Sequence, residues 1–446
     1  MSRVDTAWLR MDNDVNLMMI VGVWLLRPAV TLAALRERIA DKLLKYPRFR
    51  CRVEHDAIGA SWIPDPEFSI EHQVPATPLH RRRGETERQA LQRLCGELAT
   101  TPLDPQHPLW QFHLVEHYEG GSALIARIHH CIGDGIALIS VMHSITDGGS
   151  EPPRRRRRTR DAEDWLADEI VRPVGDLAAK ALAGGASDLA RAGVHLAADA
   201  AALLLMSDDS PTLLKGAPAG RKVVAWGEPL PLDRVKAVSR GLSCTINDLL
   251  LTCVAGAIGD YLKQRGEDPA GQEVRAMVPV NLRPLEQAWQ LGNHFGLAPV
   301  VLPVGVAHPL ARLQAVRRRM GELKGSYQPL LSYAVLAVSG LLVKPAQDFV
   351  LNLFSKKTTA VMTNVPGPVE PLRLCGSTMR QSLFWVPASG AIGVGVSILS
   401  YGGGVQFGLI TDSALCPDPQ SIIDRFEPEF EQLLYLCLML PWPGQA

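Results

Sequence analysis

The chain has 446 residues, of which 47% are hydrophobic and 21% charged, and its 46 basic side chains balance its 46 acidic ones. This length exceeds what a single hydrophobic core usually reaches, so two domains are expected. The lack of net charge argues against a partner that is recognised by charge alone, such as nucleic acid. The composition therefore predicts a globular protein without a nucleic-acid partner.

The eight cysteines are scattered, and no two stand in a C-x-x-C spacing. This pattern fits neither a disulfide framework nor a zinc site, so we expect no metal and a reducing, cytoplasmic location. The N-terminus places Asp5 before its apolar run and lacks a small-residue cleavage site, which does not fit a signal peptide. The apolar stretch 330–343 is shorter than the roughly 20 residues that span a bilayer, and it predicts a buried or interfacial helix.

Strand-like and helix-like patterns alternate through the first part of the chain. An apolar run at 16–26 predicts a strand, and Thr31 then stands where it can cap a helix. Further strands are predicted at 110–117 and 122–130, with a glycine turn between them. This alternation predicts the α/β fold class, with mixed sheets flanked by helices.

The composition changes at 147–160, where glycine and proline precede five consecutive arginines, Arg154 to Arg158. Such a run is typical of a solvated linker, and contact with anionic lipid headgroups is the alternative. The alanine-rich residues 161–215 then predict a helical connector. We therefore divide the chain into a first subdomain at 1–148, a linker and connector at 149–220, and a second subdomain at 221–446.

The second subdomain repeats the alternation of strands and helices. Thr245 stands at the N-cap position of a strong apolar helix that continues to Leu262. The other predicted elements are strands at 222–230, 274–280, 358–364, 391–399 and 404–411, and a closing amphipathic helix at 418–440.

The stretch RIHHCIGDGIALI, residues 127–139, ends a predicted strand with two histidines, an aspartate and flanking glycines. Side chains alternate along a strand, so His130 shares a face with Ala126, whereas His129 faces the other way. The two histidines therefore cannot serve one site together, which argues against a metal pair and leaves one of them for chemistry. Asp134 precedes a helical pattern, so an N-cap role is as well supported as a catalytic one.

The spacing H-H-x-x-x-D-G resembles the signature of the CoA-dependent acyltransferase superfamily, which includes chloramphenicol acetyltransferase and peptide-synthetase condensation domains. Four further segments resemble blocks of the bacterial wax ester synthase/diacylglycerol acyltransferase family, in the family's order. They are PLDPQHPLW (102–110), TINDLLL (245–251), VPVNLRP (278–284) and TNVPGP (363–368). Asn281 departs from the pattern, because the family often has serine there. The resemblance covers nearly the whole chain and implies two chloramphenicol acetyltransferase-like subdomains with the active site at their interface.

The resemblance also implies which residues form the site. The catalytic set is His130 as the general base together with His129, Asp134 and Gly135. Arg283 becomes a candidate partner for Asp134, and the pair would hold the loop that aims His130. The other supporting or substrate-channel candidates are Asn247, Asp248, Pro108, Leu109, Trp110 and Asn364.

Each supporting block has a structural alternative. Trp110 fits a core residue at the start of a strand. Asp248 lies in a first helical turn, where the helix dipole favours acids, and Asn364 opens a turn that Pro366, Gly367 and Pro368 make rigid. Asn247 is the candidate donor to an oxyanion.

The function implied by the resemblance is transfer of a fatty acyl group from acyl-CoA to a long-chain alcohol or a diacylglycerol, with acyl-CoA as substrate and no cofactor. No G-x-S-x-G motif occurs, and Cys131 fits a turn residue better than a nucleophile. One alternative is a condensation-domain-like enzyme or polyketide-ester acyltransferase that uses a carrier-protein donor. Another is a catalytically silent lipid-binding protein. Peripheral contact with a membrane or lipid droplet would accompany such lipid substrates.

Overall fold

The structure is a computed structural model that describes residues 1–55, 59–149, 205–282, 290–323, 328–339 and 355–439. The arginine run, Arg283 and most of the connector lie outside these residues. The described end of the connector, 205–215, contains bends and turns, so the predicted helix is wrong there. Pro211 explains the difference, because proline disfavours the helical conformation of the residue before it.

The first half of the chain contains five helices and five strands among its described residues. Side chains of Ser2 and Thr31 cap the first two helices by accepting hydrogen bonds from Asp5 N–H and Ala34 N–H. In chain order the elements are α1 (Arg3–Met11), β1 (Met19–Arg27), α2 (Leu32–Lys42), two 3₁₀ turns (Leu43–Lys45 and Pro47–Arg50), β2 (Cys51–His55), β3 (Ala60–Pro64), α3 (Ile70–Gln73), α4 (Glu87–Thr100), β4 (Trp110–Tyr118), β5 (Gly121–His129) and α5 (Gly135–Ile145).

The second half continues the mixed pattern. Its longest buried helix follows the predicted N-cap residue, Thr245. Nearly all side chains in the middle turns of this helix are buried. The elements are β6 (Lys222–Trp226), β7 (Leu230–Pro231), α6 (Leu232–Gly241), α7 (Ile246–Gln264), β8 (Val274–Asn281), β9 (Phe295–Leu302), α8 (Pro309–Leu323), α9 (Gln328–Ser339), β10 (Ala360–Pro366), β11 (Arg373–Leu374), β12 (Ser377–Trp385), β13 (Val394–Tyr401), β14 (Gly404–Asp412) and α10 (Gln420–Leu438).

Two large sheets organise these elements. The first sheet has the order β11-β12-β1-β5-β4, and all of its pairings are antiparallel. The second has the order β6-β14-β13-β10-β8-β9 with β7 beside β14, and β10 runs parallel to both of its neighbours. The predicted α/β class with mixed sheets is confirmed.

Strands β11 and β12 belong to the second half of the sequence but complete the sheet of the first half. β12 pairs with β1, so that Phe384 lies opposite Gly22. On its other side β1 pairs with β5, and Gly22 lies opposite Ala126. The two halves are therefore interlocked, and only β1 separates the strands of the second half from β5, which leads into the histidine motif.

Helix α9 coincides with the start of the apolar stretch at 330–343. It packs against β9, and the Ser332 hydroxyl accepts a hydrogen bond from Leu297 N–H at 2.6 Å. Across the described ranges, no single helix is long and apolar enough to cross a bilayer; α6 and α7 meet that criterion only as a pair, bent by 98°.

Candidate active site

A cavity of about 350 Å³ lies between the two sheets, where the histidine motif leaves β5. Both halves of the chain supply its largely apolar wall, as the resemblance to two subdomains with a shared interface implies. Lining residues include Trp8, His130, Phe295, Leu297, Asn364 and Phe384.

His130 is a buried imidazole at this wall, with 3% of its surface exposed. Its ring stacks on Trp8, with ring centroids 4.0 Å apart and planes 14° from parallel, and Phe295 packs at 5.6 Å. Its backbone N–H donates to the Met18 carbonyl at 2.7 Å. Backbone pairing and ring stacking thus fix the position of the imidazole.

The charge state of His130 follows from this burial. Removal from water lowers the pKa of His130 to about 4, and the opposing attraction of Asp134 is smaller. Nδ1 is buried and has no hydrogen-bond partner among the described residues. At neutral pH the ring is therefore neutral, which is the form a general base requires.

His129 points away from the cavity, in agreement with the strand alternation. Its Nδ1 accepts a hydrogen bond from Cys131 N–H at 3.1 Å, and its Nε2 lies 3.7 Å from Asp12 Oδ1. Its backbone N–H donates to the Leu109 carbonyl at 2.9 Å. These contacts hold the turn that follows β5, so His129 occupies a supporting position.

Asp134 both caps α5 and links the motif to the second half of the chain. One carboxylate oxygen accepts from Ala137 N–H at 2.9 Å, and the other accepts from His294 N–H at 2.9 Å. Asp134 N–H donates in turn to the Gly292 carbonyl at 3.1 Å. Its predicted partner Arg283 lies outside the part of the chain that the structure describes, so that pairing stays a prediction.

A second set of contacts on the motif was not predicted. The buried Asn293 amide donates to the His130 carbonyl at 2.9 Å and to Asp5 Oδ1 at 2.8 Å. Asp5, whose side chain is fully buried, forms an ion pair with Arg48 at 3.0 Å, and Arg48 also donates to the Ile132 carbonyl at 2.8 Å. This network holds the backbone at His130 and in the turn that follows it.

The resemblance indicated Asp134, whereas Asp5 and Asn293 were only weaker matches to the family's pattern, and their contacts with each other were not predicted. Asp5 and Trp8 are three residues apart in α1, so they share a helix face. Asp5 contacts Asn293 and Trp8 stacks on His130, so both residues of this helix face contribute to the site. Arg48 lies in a short 3₁₀ turn with no pattern that would have distinguished it from its arginine neighbours.

Pro108, Leu109 and Trp110 lie behind the motif and do not line the cavity. Trp110 is fully buried, and its indole N–H donates to the Phe49 carbonyl at 2.9 Å. The Pro108 carbonyl accepts from the Gln73 amide at 2.9 Å. The contacts of this block are therefore those of a supporting segment, and its role in a substrate channel stays a prediction.

The two asparagines of the distant blocks contact each other, although only Asn364 lines the cavity. The Asn364 amide donates to Asn247 Oδ1 at 2.7 Å, and Asn364 lines the cavity together with Asn281. Asp248 has the structural role, because its carboxylate accepts from Thr245 N–H and its own N–H donates to the Thr245 hydroxyl. This capping box fixes the start of α7, where Asn247 lies.

Among the described residues, one group near the surface could hold a metal ion, although none of its members lines the cavity. It consists of His72, Asp104 and His107. His107 also lies 3.1 Å from the buried carboxylate of Asp65. The group is therefore separate from the chemistry of the histidine motif.

The family models match both halves of the chain. The wax ester synthase/diacylglycerol acyltransferase catalytic domain matches residues 1–250, and the WS/DGAT C-terminal domain matches residues 291–434. A probable diacylglycerol O-acyltransferase of Mycobacterium tuberculosis is 26% identical over an alignment of 457 positions that covers 97% of this chain and 95% of that protein. Another from the same organism is 28% identical over 393 residues, with 84% and 83% covered.

Solved structures confirm the fold. The wax ester synthase/diacylglycerol acyltransferase from Marinobacter aquaeolei VT8 aligns with a TM-score of 0.68 at 20% identity, over 98% of this chain and all of that one. A starter condensation domain of rhizomide synthetase, solved with C8-CoA and Leu-SNAC, aligns with a TM-score of 0.59 at 14% identity, over 98% and 94%. Together with the matched models, which cover most of the sequence, these findings show that the chain belongs to the wax ester synthase/diacylglycerol acyltransferase family.

Proposed function

We propose that the protein transfers a fatty acyl group from acyl-CoA to the hydroxyl of a long-chain alcohol or a diacylglycerol, with His130 as the general base. The observation that carries this proposal is a neutral, buried imidazole at the wall of an apolar cavity that both halves line. The cavity suits alkyl chains, and the imidazole suits removal of a hydroxyl proton. Names of the mycobacterial relatives and of the Marinobacter enzyme support the two acceptor classes.

The reaction needs no covalent enzyme intermediate and no bound cofactor. An unprotonated ring nitrogen of His130 takes the hydroxyl proton while the acceptor oxygen bonds to the thioester carbonyl carbon. The tetrahedral intermediate then expels the CoA thiolate, and the imidazolium returns the proton to that sulfur. The products are an ester and free CoA, and the base is regenerated.

The Asn247–Asn364 pair supports a role for an amide in stabilising the oxyanion. Asn364 directs its amide donor at Asn247 Oδ1, which fixes the orientation of the Asn247 side chain next to the cavity wall. An oriented amide is a suitable donor to the oxygen of the tetrahedral intermediate. We keep Asn247 as the proposed donor, with Asn364 as its positioning residue.

A donor and acceptor panel tests the proposal. Purified protein is incubated with labelled palmitoyl-CoA, or with a palmitoyl carrier protein, and with hexadecanol or a diacylglycerol as acceptor. We expect labelled wax ester or triacylglycerol from the CoA donor, with one free thiol released per ester. Transfer from the carrier protein alone would instead support the condensation-like alternative, and lipid binding without any transfer would support the silent one.

The pH dependence of kcat/KM gives a second test. A general base reacts when unprotonated, so the rate falls as the pH drops through its pKa. Since burial lowers the pKa of His130 to about 4, we expect the acid limb far below the ordinary histidine value of 6.5. An acid limb near 6.5 would contradict the buried, neutral base.

Acid unfolding needs its own control in that experiment. Because the pKa of His130 is lower in the folded state, the unfolded chain binds a proton more readily. The free energy of unfolding therefore decreases as the pH falls from 6.5 to about 4. Thermal melting at each pH identifies the range in which the loss of rate precedes unfolding. Only that range is used to fit the acid limb.

The proposed substrates also support peripheral contact with a membrane or lipid droplet, because long-chain alcohols and diacylglycerols partition into lipid; the cytoplasmic location stays a prediction. Exposed apolar side chains at the end of α10 are candidates for such contact. They are Tyr435, Leu438 and Met439. Flotation with phospholipid vesicles, which should carry the protein upward, measures this contact directly.

A further inference from the structure

A second cavity, of about 110 Å³, lies between the first sheet and helix α5. Its walls are almost entirely apolar, and Gly135 and Phe384 line both it and the catalytic cavity. The two spaces are therefore neighbours at the start of α5, next to the histidine motif. Other lining residues are Ile20, Leu124, Ile128, Leu138, Met142 and Met379.

Two small residues on adjacent strands create this second cavity. Gly22 of β1 lies opposite Ala126 of β5, and both line the space. A Cβ atom added to Gly22 would lie 3.7 Å from Phe384 Cβ and 3.9 Å from Ala126 Cβ, which are ordinary contacts. Both positions line the space with little or no side chain, so a larger side chain at either one would extend into it.

The second cavity lies along strand β5, on the face that this strand shares with the proposed base, His130. Strand alternation places Leu124, Ala126 and Ile128 on the same face as His130. Ala126 is four residues before His130, which corresponds to roughly 13 Å along a strand. Trp24 lies opposite Leu124, still farther from His130, and also lines the cavity. The space therefore extends along β5 away from the base and has a bulky side chain at its far end.

We propose that this second cavity binds the alkyl chain of one substrate, and that Gly22, Ala126 and Trp24 set the chain length that fits. The proposal rests on the acyl transfer proposed above, since both the acyl donor and the long-chain alcohol carry such a chain. Each methylene buried there should strengthen binding about fourfold. A side chain that fills the cavity should therefore lower kcat/KM for substrates with long alkyl chains. Short chains end before the cavity, so their kcat/KM should change much less.

Ala126→Leu and Trp24→Ala test the proposal in opposite directions. We measure kcat/KM for butanoyl-CoA and palmitoyl-CoA with butanol and hexadecanol as acceptors, in all four combinations. Ala126→Leu should lower the long-to-short ratio at least about tenfold in one of the two series, because it excludes several methylenes. Trp24→Ala should raise the same ratio in that series, because it lengthens the space available to a long chain. Gly22→Ala is the milder variant, should Ala126→Leu fail to fold.

The series that responds identifies the substrate whose chain occupies the second cavity. Ala33→Leu, on the exposed surface of α2, is the matched control and should leave both ratios unchanged. Unchanged ratios in both series for folded Ala126→Leu and Trp24→Ala would overturn the proposal.

Equilibrium binding separates this proposal from the proposed function. Dissociation constants are measured for palmitoyl-CoA, butanoyl-CoA and hexadecanol with wild type and Ala126→Leu. If wild type transferred no acyl group but bound the long chain more tightly than Ala126→Leu does, the proposed function would fail and the alkyl-chain site would stand. Equal binding of long chains by both proteins would count against the site, whatever the turnover.

Discussion

Replacing His130 with alanine is expected to lower kcat for acyl transfer by about 10² to 10⁴-fold, the usual contribution of a general base. The neutral imidazole of His130 lies at the cavity wall, and no other described histidine lines this cavity. His129 cannot take over as the base, because it faces the opposite side of the strand. Turnover is measured with palmitoyl-CoA and hexadecanol under saturating conditions. The Michaelis constants should change much less than kcat.

Two further variants separate the loss of the base from the loss of packing. His130→Phe retains an aromatic ring to stack on Trp8 but has no ring nitrogen, so it should be as inactive as the alanine variant while melting closer to wild type. His129→Ala should be milder in its effect on kcat. If His130→Phe turned over at a near wild-type rate, His130 could not be the base.

Arg48→Met is expected to destabilise the protein by about 3 to 5 kcal/mol, because it leaves a buried carboxylate without its cation. Asp5 is fully buried and lies 3.0 Å from Arg48. The substitution also removes the donor to the Ile132 carbonyl, within the turn that follows His130. Urea unfolding measures the loss of stability, and kcat should fall along with it.

The pair can be tested by removing both charges. Asp5→Asn combined with Arg48→Met removes the unpaired charge while an amide oxygen can still accept from Asn293, so the double variant should recover much of the lost stability. Arg50→Met, at an exposed neighbouring position, is the matched control and should change stability little. A double variant less stable than Arg48→Met would show that the ion pair is not what the single substitution disrupts.

Local sequence patterns predicted most elements near the site. Strand β5 ends at His129, one residue from the predicted boundary, and the alternation along it distinguished His130 from His129. Thr31 and Thr245 cap helices as predicted, because capping depends on a few adjacent residues. Such features depend on neighbours in sequence, so a single chain suffices to recognise them.

The parts that the sequence did not predict depend on distant contacts. Asp5 and Asn293 are 288 residues apart, and neither has a local pattern that indicates the other. Helix α1 and strand β9, which supply Trp8 and Phe295 to the walls around His130, were not predicted. The resemblance of the block at 108–110 likewise gave no information about which way Trp110 faces, because its indole contacts the distant Phe49 carbonyl.

The pairing of β1 with β12 has a consequence for biosynthesis. A nascent chain released from the ribosome only as far as residue 370 lacks β11 and β12, so β1 would form the edge of its sheet. That edge carries the sequence MIVGVWLL, an apolar, uncharged segment of the kind that pairs with other chains when exposed. The sheet of the first half is therefore completed only when residues 377–385 emerge, and until then β1 is an unpaired apolar edge at which we expect aggregation to begin.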